Sequence, residues 1–378
     1  MVKMTEKAKR TLTHLVLITI IIFPKMLYCA DSGQDPSPLI YDVSIDKDTF
    51  NPSSVEKVGI HFKLSENAKV SLKIFDFDQG HVATLCDNST MEKGTHILVW
   101  DGRDQSGKIV PDEAYYLTIE AVQGTNRVTY DPTNISGGIT HEIEKIKILS
   151  EEKQLEYILP ETGRVSIKAG IVNGPLLAVP VDWEPRNKGL HRERWDGMDA
   201  DRVMSVLEHP QYQIRTSYVT LPELTIITTG NKEITYFQYK QMRDFTLAKE
   251  RVPLLSMQSK SILISPRYIA GVTLSKAPPI ALTFSEEQWN ENGIPFFQGK
   301  IPIRVDLPEK WRAFLAQKQY EIYFFLDYQF LTEDPRIQLP YQTILDLRKY
   351  PPGIHLLSLN LIGPGGQISV KNVKINLQ

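Results

Sequence analysis

The chain has 378 residues, and its 43 Lys and Arg against 45 Asp and Glu give a net charge of −2, which offers no electrostatic reason to bind nucleic acid. Hydrophobic residues make up 42% and charged residues 23%, as in ordinary globular proteins, and the length predicts two or three domains. The 24 prolines and 22 glycines favour a turn-rich β protein over a helical one.

Residues 1–30 predict a cleaved secretory signal peptide. A basic segment from Lys3 to Arg10 precedes an apolar run from Leu15 to Phe23, and cleavage is expected after Ala30. The apolar run is far shorter than the roughly 20 residues that span a bilayer, although a retained anchor and a lipidated Cys29 stay open as alternatives. We therefore expect an exported protein of the periplasm or cell surface, with no transmembrane segment after cleavage.

Strand-like alternation follows a polar leader. Between residues 60 and 74, apolar residues such as Phe62 and Leu72 alternate with polar ones, which is the period of a half-buried strand. The segment from Asp101 to Gly107 is rich in residues that tolerate a positive φ and predicts a tight turn. These patterns predict a small β-sandwich over residues 42–124.

One pattern occurs twice in the sequence. It consists of Gly-x-His followed by Trp-Asp-Gly, and it begins at Gly94 and again at Gly189, an offset of 189 − 94 = 95 residues. A long duplication at a constant offset predicts two copies of one domain, and this offset suits a β-sandwich of about 100 residues. The second, degraded copy is expected at residues 142–228. The turn residues are Trp100, Asp101, Gly102 and Asp104 in the first copy, and Trp195, Asp196, Gly197 and Asp199 in the second.

The remaining sequence divides into a connector, residues 229–265, and a third β unit, residues 266–378. The connector is polar and aromatic from Glu233 to Lys249, and both an extended segment and a short helix fit that composition. Strand-like runs in the third unit surround one predicted helix, which is capped by Asp306 and runs from Glu309 to Lys318.

Three segments of the first copy form a known combination: Val70–Asp76, Gly94–His96 and the turn that begins at Trp100. They resemble the FlgD-like immunoglobulin-like domain, which occurs in flagellar hook-capping proteins and in many exported bacterial proteins. The second copy shares only part of this pattern. The C-terminal part resembles another bacterial Ig-like module through Pro340-Tyr341 and Gly353-Ile354-His355.

These resemblances imply an all-β chain with three immunoglobulin-like β-sandwiches in series after the signal peptide. They also imply export and an adhesive, structural or scaffolding role, and they supply no catalytic residues. Because no hook-assembly pattern occurs in the N-terminal part, the hook-cap function itself is not expected here.

Each motif residue has a structural interpretation beside a functional one. The two tryptophans could stack on a sugar ring, but their place at strand ends favours a core position. The turn aspartates lack the spacing of an EF-hand loop, and turn chemistry explains them without calcium. Each of the histidines His96, His191 and His355 stands two residues after a glycine. We expect them to be repeated strand residues rather than ligands of one metal site. No cofactor and no metal are predicted.

No catalytic motif occurs, since the sequence has no Gly-x-Ser-x-Gly elbow, P-loop, dinucleotide fingerprint or His-Glu-x-x-His. We therefore predict a non-catalytic scaffold or subunit of a bacterial cell-envelope assembly, with other envelope proteins as partners. A carbohydrate-binding accessory protein and a subunit of an envelope enzyme or redox complex are the alternatives. The predicted partner contacts lie where the sequence departs most from the repeat, at Arg243, Arg251, Arg267 and Trp289.

Overall fold

The computed structural model describes residues 38–249, 276–284, 288–289, 293–363 and 366–378. Within these ranges the chain is all-β, as predicted, and its strands form six sheets. No helix in the same ranges has the length and apolar character needed to cross a membrane. The predicted signal peptide lies outside the described residues.

The first unit joins two sheets. One sheet has the order β1-β3-β6 and the other has the order β2-β16-β7-β4-β5, with β8 paired to β7. Buried residues of both sheets, among them Phe62, Leu72 and Trp100, form one core between them. The strands are β1 (Ile40–Ile45), β2 (Thr49–Phe50), β3 (Val58–Leu64), β4 (Ala68–Asp76), β5 (His81–Met91), β6 (Gly94–Trp100), β7 (Ala114–Gln123), β8 (Asn126–Tyr130) and the later β16 (Ile226–Thr228).

The second unit repeats this arrangement on a smaller scale. Its sheets have the orders β10-β11-β14 and β13-β12-β15-β9, and residues such as Tyr157 and Val165 form the core between them. The strands are β9 (Thr140–His141), β10 (Ile146–Leu149), β11 (Gln154–Leu159), β12 (Gly163–Ile171), β13 (Leu176–Arg186), β14 (Gly189–Arg194) and β15 (Tyr212–Thr220).

The third unit has sheets in the orders β17-β20-β23 and β18-β19-β25-β24-β21-β22, which share a core that includes Ile303, Phe324 and Leu359. Its elements, with the helix that precedes it, are α1 (Tyr236–Lys249), β17 (Ala281–Phe284), β18 (Gln288–Trp289), β19 (Pro295–Phe297), β20 (Lys300–Asp306), α2 (Glu309–Leu315), β21 (Tyr320–Leu326), β22 (Gln329–Ile337), β23 (Tyr341–Asp346), β24 (Gly353–Ile362) and β25 (Ile368–Leu377).

The two helices differ in part from the expectations. The connector, for which two conformations fitted, forms α1. The helix predicted over 309–318 ends at Leu315, and Asp306 does not cap it. Instead the Asp306 carboxylate accepts hydrogen bonds from Arg304 at 3.0 Å and from Arg312 at 2.9 Å. Asp306 is the last residue of β20, and Pro308 occupies the N-cap position of the helix that begins at Glu309.

The chain returns to the first unit after it has formed the second. β16 lies between β2 and β7, parallel to β2 and antiparallel to β7, with Ile227 opposite Thr49 and Ile226 opposite Tyr115. The range 142–228 therefore ends with three residues that lie in a sheet of the first unit. Local alternation in a sequence indicates a strand but not a partner this distant along the chain.

Candidate functional site

The two Trp-Asp-Gly turns have the same local structure. Each indole Nε1 donates to the carbonyl three residues later, at 2.9 Å from Trp100 and 2.8 Å from Trp195. The glycine of each turn has a positive φ, 74° at Gly102 and 81° at Gly197, which residues with a Cβ rarely adopt. The surroundings differ, because Trp100 is only 1% exposed while Trp195 is half-buried.

The turn aspartates are used by their own turns. Asp104 Oδ1 accepts from the backbone N–H groups two and four residues later, at 2.9 and 3.0 Å. Asp199 Oδ1 accepts from those four and five residues later, at 2.7 and 2.8 Å. Among the described residues, no group of three or more His, Cys, Asp or Glu is placed to hold a metal ion. The geometry of these carboxylates is that of turn formation.

The three Gly-x-His histidines share one hydrogen bond, from Nε2 to the carbonyl four residues earlier, at 2.7 Å for His96, 2.6 Å for His191 and 2.8 Å for His355. His355 differs because its Nδ1 also lies 2.6 Å from Asp327 Oδ2. Burial alone would lower the pKa of His355, but the hydrogen bonds to Asp327 and to the Pro351 carbonyl raise it above its usual value. The histidines lie in separate sheets and do not form one site.

A buried ion pair joins the first and second units. Arg164 in β12 donates from Nη1 to Glu113 Oε1 at 2.6 Å and from Nη2 to Oε2 at 3.3 Å, with the two side chains 2% and 1% exposed. The Arg164 guanidinium also lies 4.0 Å from the centre of the Phe77 ring. Burial raises the pKa of Glu113, and the Arg164 charge offsets part of that rise. The pair therefore fixes the two units against each other in a solvent-free environment.

Asparagine side chains join the second and third units. Asn360 in β24 accepts from the Leu176 N–H at 2.9 Å and donates to the Leu176 carbonyl at 2.8 Å, as a neighbouring strand would. Asn372 in β25 donates to the Leu177 carbonyl at 3.0 Å, and its backbone N–H donates to Asp201 at 2.6 Å. Because hydrogen bonds are directional, these contacts favour one orientation of the second unit against the third.

The helix α1 contacts both the first and the third unit. Its Tyr236 hydroxyl donates to Asp78 at 3.1 Å, and its Arg243 pairs with the fully buried Asp76. On the other side, the ring of Phe237 stacks on the ring of Trp311 at a centroid distance of 4.0 Å. In the described part of the connector, α1 is thus packed against two units.

The predicted partner contacts have different positions. Arg243 has a side chain only 16% exposed, and its pairing with Asp76 leaves it little surface for a partner. Trp289 lies in β18, an outer strand of its sheet, where its backbone pairs with Pro295. Arg251 and Arg267 lie outside the described residues. Sequence reasoning did not show the buried partner of Arg243, because Asp76 is distant along the chain.

The three-stranded sheets of the first and second units, β1-β3-β6 and β10-β11-β14, differ in the side chains that their edge strands β6 and β14 expose. β6 ends the sheet β1-β3-β6, and its exposed positions hold Thr95, Ile97 and Val99, with Ile97 57% and Val99 53% exposed. This strand contains no Lys, Arg, Asp or Glu. An uncharged, β-branched edge of this kind is suited to pairing with another strand.

The corresponding edge of the second unit, β14, is charged. Its exposed positions hold Leu190, Arg192 and Arg194. Arg192 donates to Glu156 at 3.0 Å, and Lys147 donates to the same carboxylate at 3.1 Å, which lowers the pKa of Glu156. Charges along an edge strand oppose the addition of a further strand.

A cavity of about 550 Å³ lies where the second unit meets the third. Met198, Met204, His209 and Tyr328 line part of it, and the Tyr328 hydroxyl contacts Met204 Sδ at 3.5 Å. The free Cys86 lies elsewhere, in β5, where it is half-buried, and this burial raises the pKa of its thiol. A raised pKa keeps the thiol protonated, which is the less nucleophilic form.

One protein-family model matches part of the first unit. Residues 48–125 match the model of the FlgD Ig-like domain, which confirms the resemblance of the first copy. The tandem second copy and the C-terminal module stay predictions. No curated protein matches the chain.

Solved structures with matching segments include fibronectin(III)-like modules of CbhA from Clostridium thermocellum, at 10% identity over 89% of this chain and 94% of that one, with a TM-score of 0.19. A tetra-tandem repeat from the extending region of a large adhesion protein matches at 9% identity over 89% and 73%, with a TM-score of 0.20. A bacterial ice-binding adhesin matches at 9% identity over 91% and 98%, with a TM-score of 0.18.

Proposed function

We propose that the chain is an exported, non-catalytic structural or partner-binding component of a bacterial cell-envelope assembly. The observation that supports this most is the construction of the junctions. Glu113 with Arg164, Asn360 with Leu176, and Phe237 with Trp311 link the three units through buried or stacked contacts. A chain whose units are held in fixed orientations can present binding surfaces at fixed spacing, which is what a scaffold requires.

The carbohydrate-binding alternative has less support. It needs exposed aromatic rings on one sheet face, whereas the core position of Trp100 removes the first of the two candidate tryptophans. The envelope-enzyme alternative would place its site in residues 229–330, where α1 packs between two units and much of the connector lies outside the described residues.

We propose that the partner binds at the β18 edge of the third unit and that Trp289 contacts it. A matched control is available in the same sheet, because β18 and β22 lie at its two ends and Phe330 in β22 is 55% exposed. Both variants remove an aromatic residue from an edge strand of the same sheet, so they compare its two edges as anchors for a partner.

The test is affinity capture of the tagged chain from its native host after chemical cross-linking, with identification of the captured proteins. We expect a specific envelope protein to be captured by the wild-type chain and by Phe330→Ala, and to be lost with Trp289→Ala. Equal loss in both variants would contradict the proposed contact. Turnover of a substrate by the purified chain alone would contradict the non-catalytic function itself.

A further inference from the structure

The outer edge of β6 has no strand paired with it among the described residues, although β6 is the most apolar edge of the two small sheets described above. Ile97 and Val99 expose more than half of their surface, and the neighbouring Lys63 is already paired with Asp42 at 2.9 Å. An exposed apolar edge favours association through addition of a strand.

We propose that two copies of this chain associate through their β6 strands, paired antiparallel across a two-fold axis. The two three-stranded sheets would then form one continuous sheet. This inference does not depend on the proposed envelope function, because it needs no partner other than a second copy.

The side chains of β6 select a register. Only registers that align exposed residues with exposed residues keep both cores intact, since a shift of one residue would exchange the two faces. Centring the pair on Ile97 places Ile97 opposite its own copy and Thr95 opposite Val99. Every exposed pair is then formed by β-branched residues, which stabilise cross-strand contacts.

Charge complementarity supports the same register. When residues facing each other sum to 97 + 97 = 194, Lys93 of one copy faces Asp101 of the other, and the symmetry repeats this opposite-charge pair. A register displaced by two residues, with a sum of 196, would instead place Lys93 opposite Arg103. In the single chain, Lys93 lies 3.8 Å from Glu66 and Asp101 lies 3.6 Å from Arg103, and such exposed pairs exchange at little cost.

The β14 edge of the second unit provides the contrast. The position that corresponds to Ile97 is 97 + 95 = 192, so self-pairing of β14 would place Arg192 opposite Arg192. Like charges directly opposite each other destabilise a strand pair. Association is therefore expected at the first unit and not at the second.

A single strand pair forms a small interface compared with the roughly 1,200–2,000 Å² of stable complexes. The dimer should therefore be concentration-dependent. Sedimentation velocity of the purified chain over a wide concentration range should show a reversible monomer–dimer equilibrium. A wild-type chain that stays monomeric at every concentration would overturn the proposal.

Ile97→Lys introduces a like-charge pair at the centre and should raise the dissociation constant of the dimer at least about tenfold. Leu190→Lys makes the same kind of change at an exposed position of β14 and should leave the equilibrium unchanged. Melting curves of both variants check that each remains folded. If Ile97→Lys is folded and still dimerises like the wild type, or if Leu190→Lys abolishes the dimer, the interface is not β6.

Cross-linking tests the register even where a substitution weakens the fold. In a chain whose two native cysteines are replaced by alanine, Ile97→Cys should form an intermolecular disulfide on mild oxidation, because its two thiols face each other across the axis. Val99→Cys places its thiols opposite Thr95 and should cross-link several-fold less. Equal yields from the two variants would refute the Ile97-centred register.

Discussion

The first and second units carry the same turn but use their strands differently. Lys69 in β4 and Arg164 in β12 occupy corresponding positions, since 164 − 69 = 95, yet Lys69 is exposed and Arg164 is buried against Glu113. The free edges β6 and β14 differ in the same way, one apolar and one charged. The repeated turn determines the local backbone, while residues at the exposed strand positions determine which surface makes a contact.

The two tryptophans show how packing diverges around one backbone. Trp100 makes edge contacts with Phe50 at 5.6 Å and Tyr115 at 5.3 Å. The position that corresponds to Phe50 is 50 + 95 = 145, a lysine that is exposed. In β15 the offset becomes 212 − 115 = 97, because Tyr115 lies opposite Asp76 and Tyr212 lies opposite Ile171, and Tyr212 is 40% exposed. Trp195 has therefore lost the aromatic partners of its counterpart, which explains its greater exposure.

The largest expected difference in stability is between substitutions of Arg164 and of Lys69, its counterpart in the first unit. Arg164→Ala leaves the buried Glu113 carboxylate without its partner and should lower the free energy of unfolding by about 3–5 kcal/mol. Lys69→Ala removes an exposed side chain and should change it by about 0.5 kcal/mol or less. Urea unfolding of both variants measures the difference. A double variant, Glu113→Gln with Arg164→Met, should lose less than Arg164→Ala, and similar losses for Arg164→Ala and Lys69→Ala would contradict the buried pair.

The tryptophans should separate next. Trp100→Ala removes a fully buried ring and should cost about 3–5 kcal/mol, whereas Trp195→Ala removes a half-buried ring and should cost about 2 kcal/mol. Thermal unfolding of each variant, followed by circular dichroism, gives the comparison. An equal or larger cost for Trp195→Ala would mean that the second unit depends on its turn as strongly as the first.

A smaller effect distinguishes the Gly-x-His histidines by pH. Because the folded-state pKa of His355 is raised, its bond to Asp327 stabilises the fold fully below a pH of about 6.5 and less as the pH rises through the raised pKa. The urea midpoint should therefore fall as the pH rises past neutrality. Asp327→Asn should flatten this dependence, while His96→Gln, which alters a histidine stacked on Phe62, should not. A dependence that survives Asp327→Asn would assign it to another group.

The smallest expected effect is that of a chelator. The carboxylates of Asp104 and Asp199 already accept backbone hydrogen bonds, so EDTA should shift the melting temperature by about 1 °C or less. A fall of many degrees, restored by added calcium, would show a metal site in one or both turns.

Features carried by local patterns could be predicted from the sequence. The alternation in β3, the positive φ of Gly102 and the turn at Trp195 each depend on residues near one another along the chain, and the structure places them in a strand and in turns as expected. The predicted N-terminal cap of α2 was wrong, because Asp306 has the side chain of a cap but lies in a strand and pairs with arginines.

The contacts between the units join residues that are far apart in the sequence, so local patterns could not predict them. Arg243 lies in a basic, polar segment, which suggested a partner contact. Its side chain instead forms an ion pair with the buried Asp76, far away in the sequence. Lys69 and Arg164 are both long basic residues at the same strand position, so no local signal separates the exposed side chain from the buried one. The charge difference between β6 and β14 can be read from their residues once the structure identifies both as edge strands.

The position of β16 affects how this protein is synthesised. While the ribosome makes the second unit, the first unit lacks the strand that lies between β2 and β7. From the end of β7 to the end of β16 there are 228 − 123 = 105 residues, which take roughly 5–20 s to translate. During that interval β8 already covers Ile119–Gln123 of β7, but the Ala114–Tyr115 end of β7 and the whole of β2 lack the strand that pairs with them. Unpaired strand segments of this kind are prone to aggregation. The first unit to emerge is thus completed only after the second has been translated.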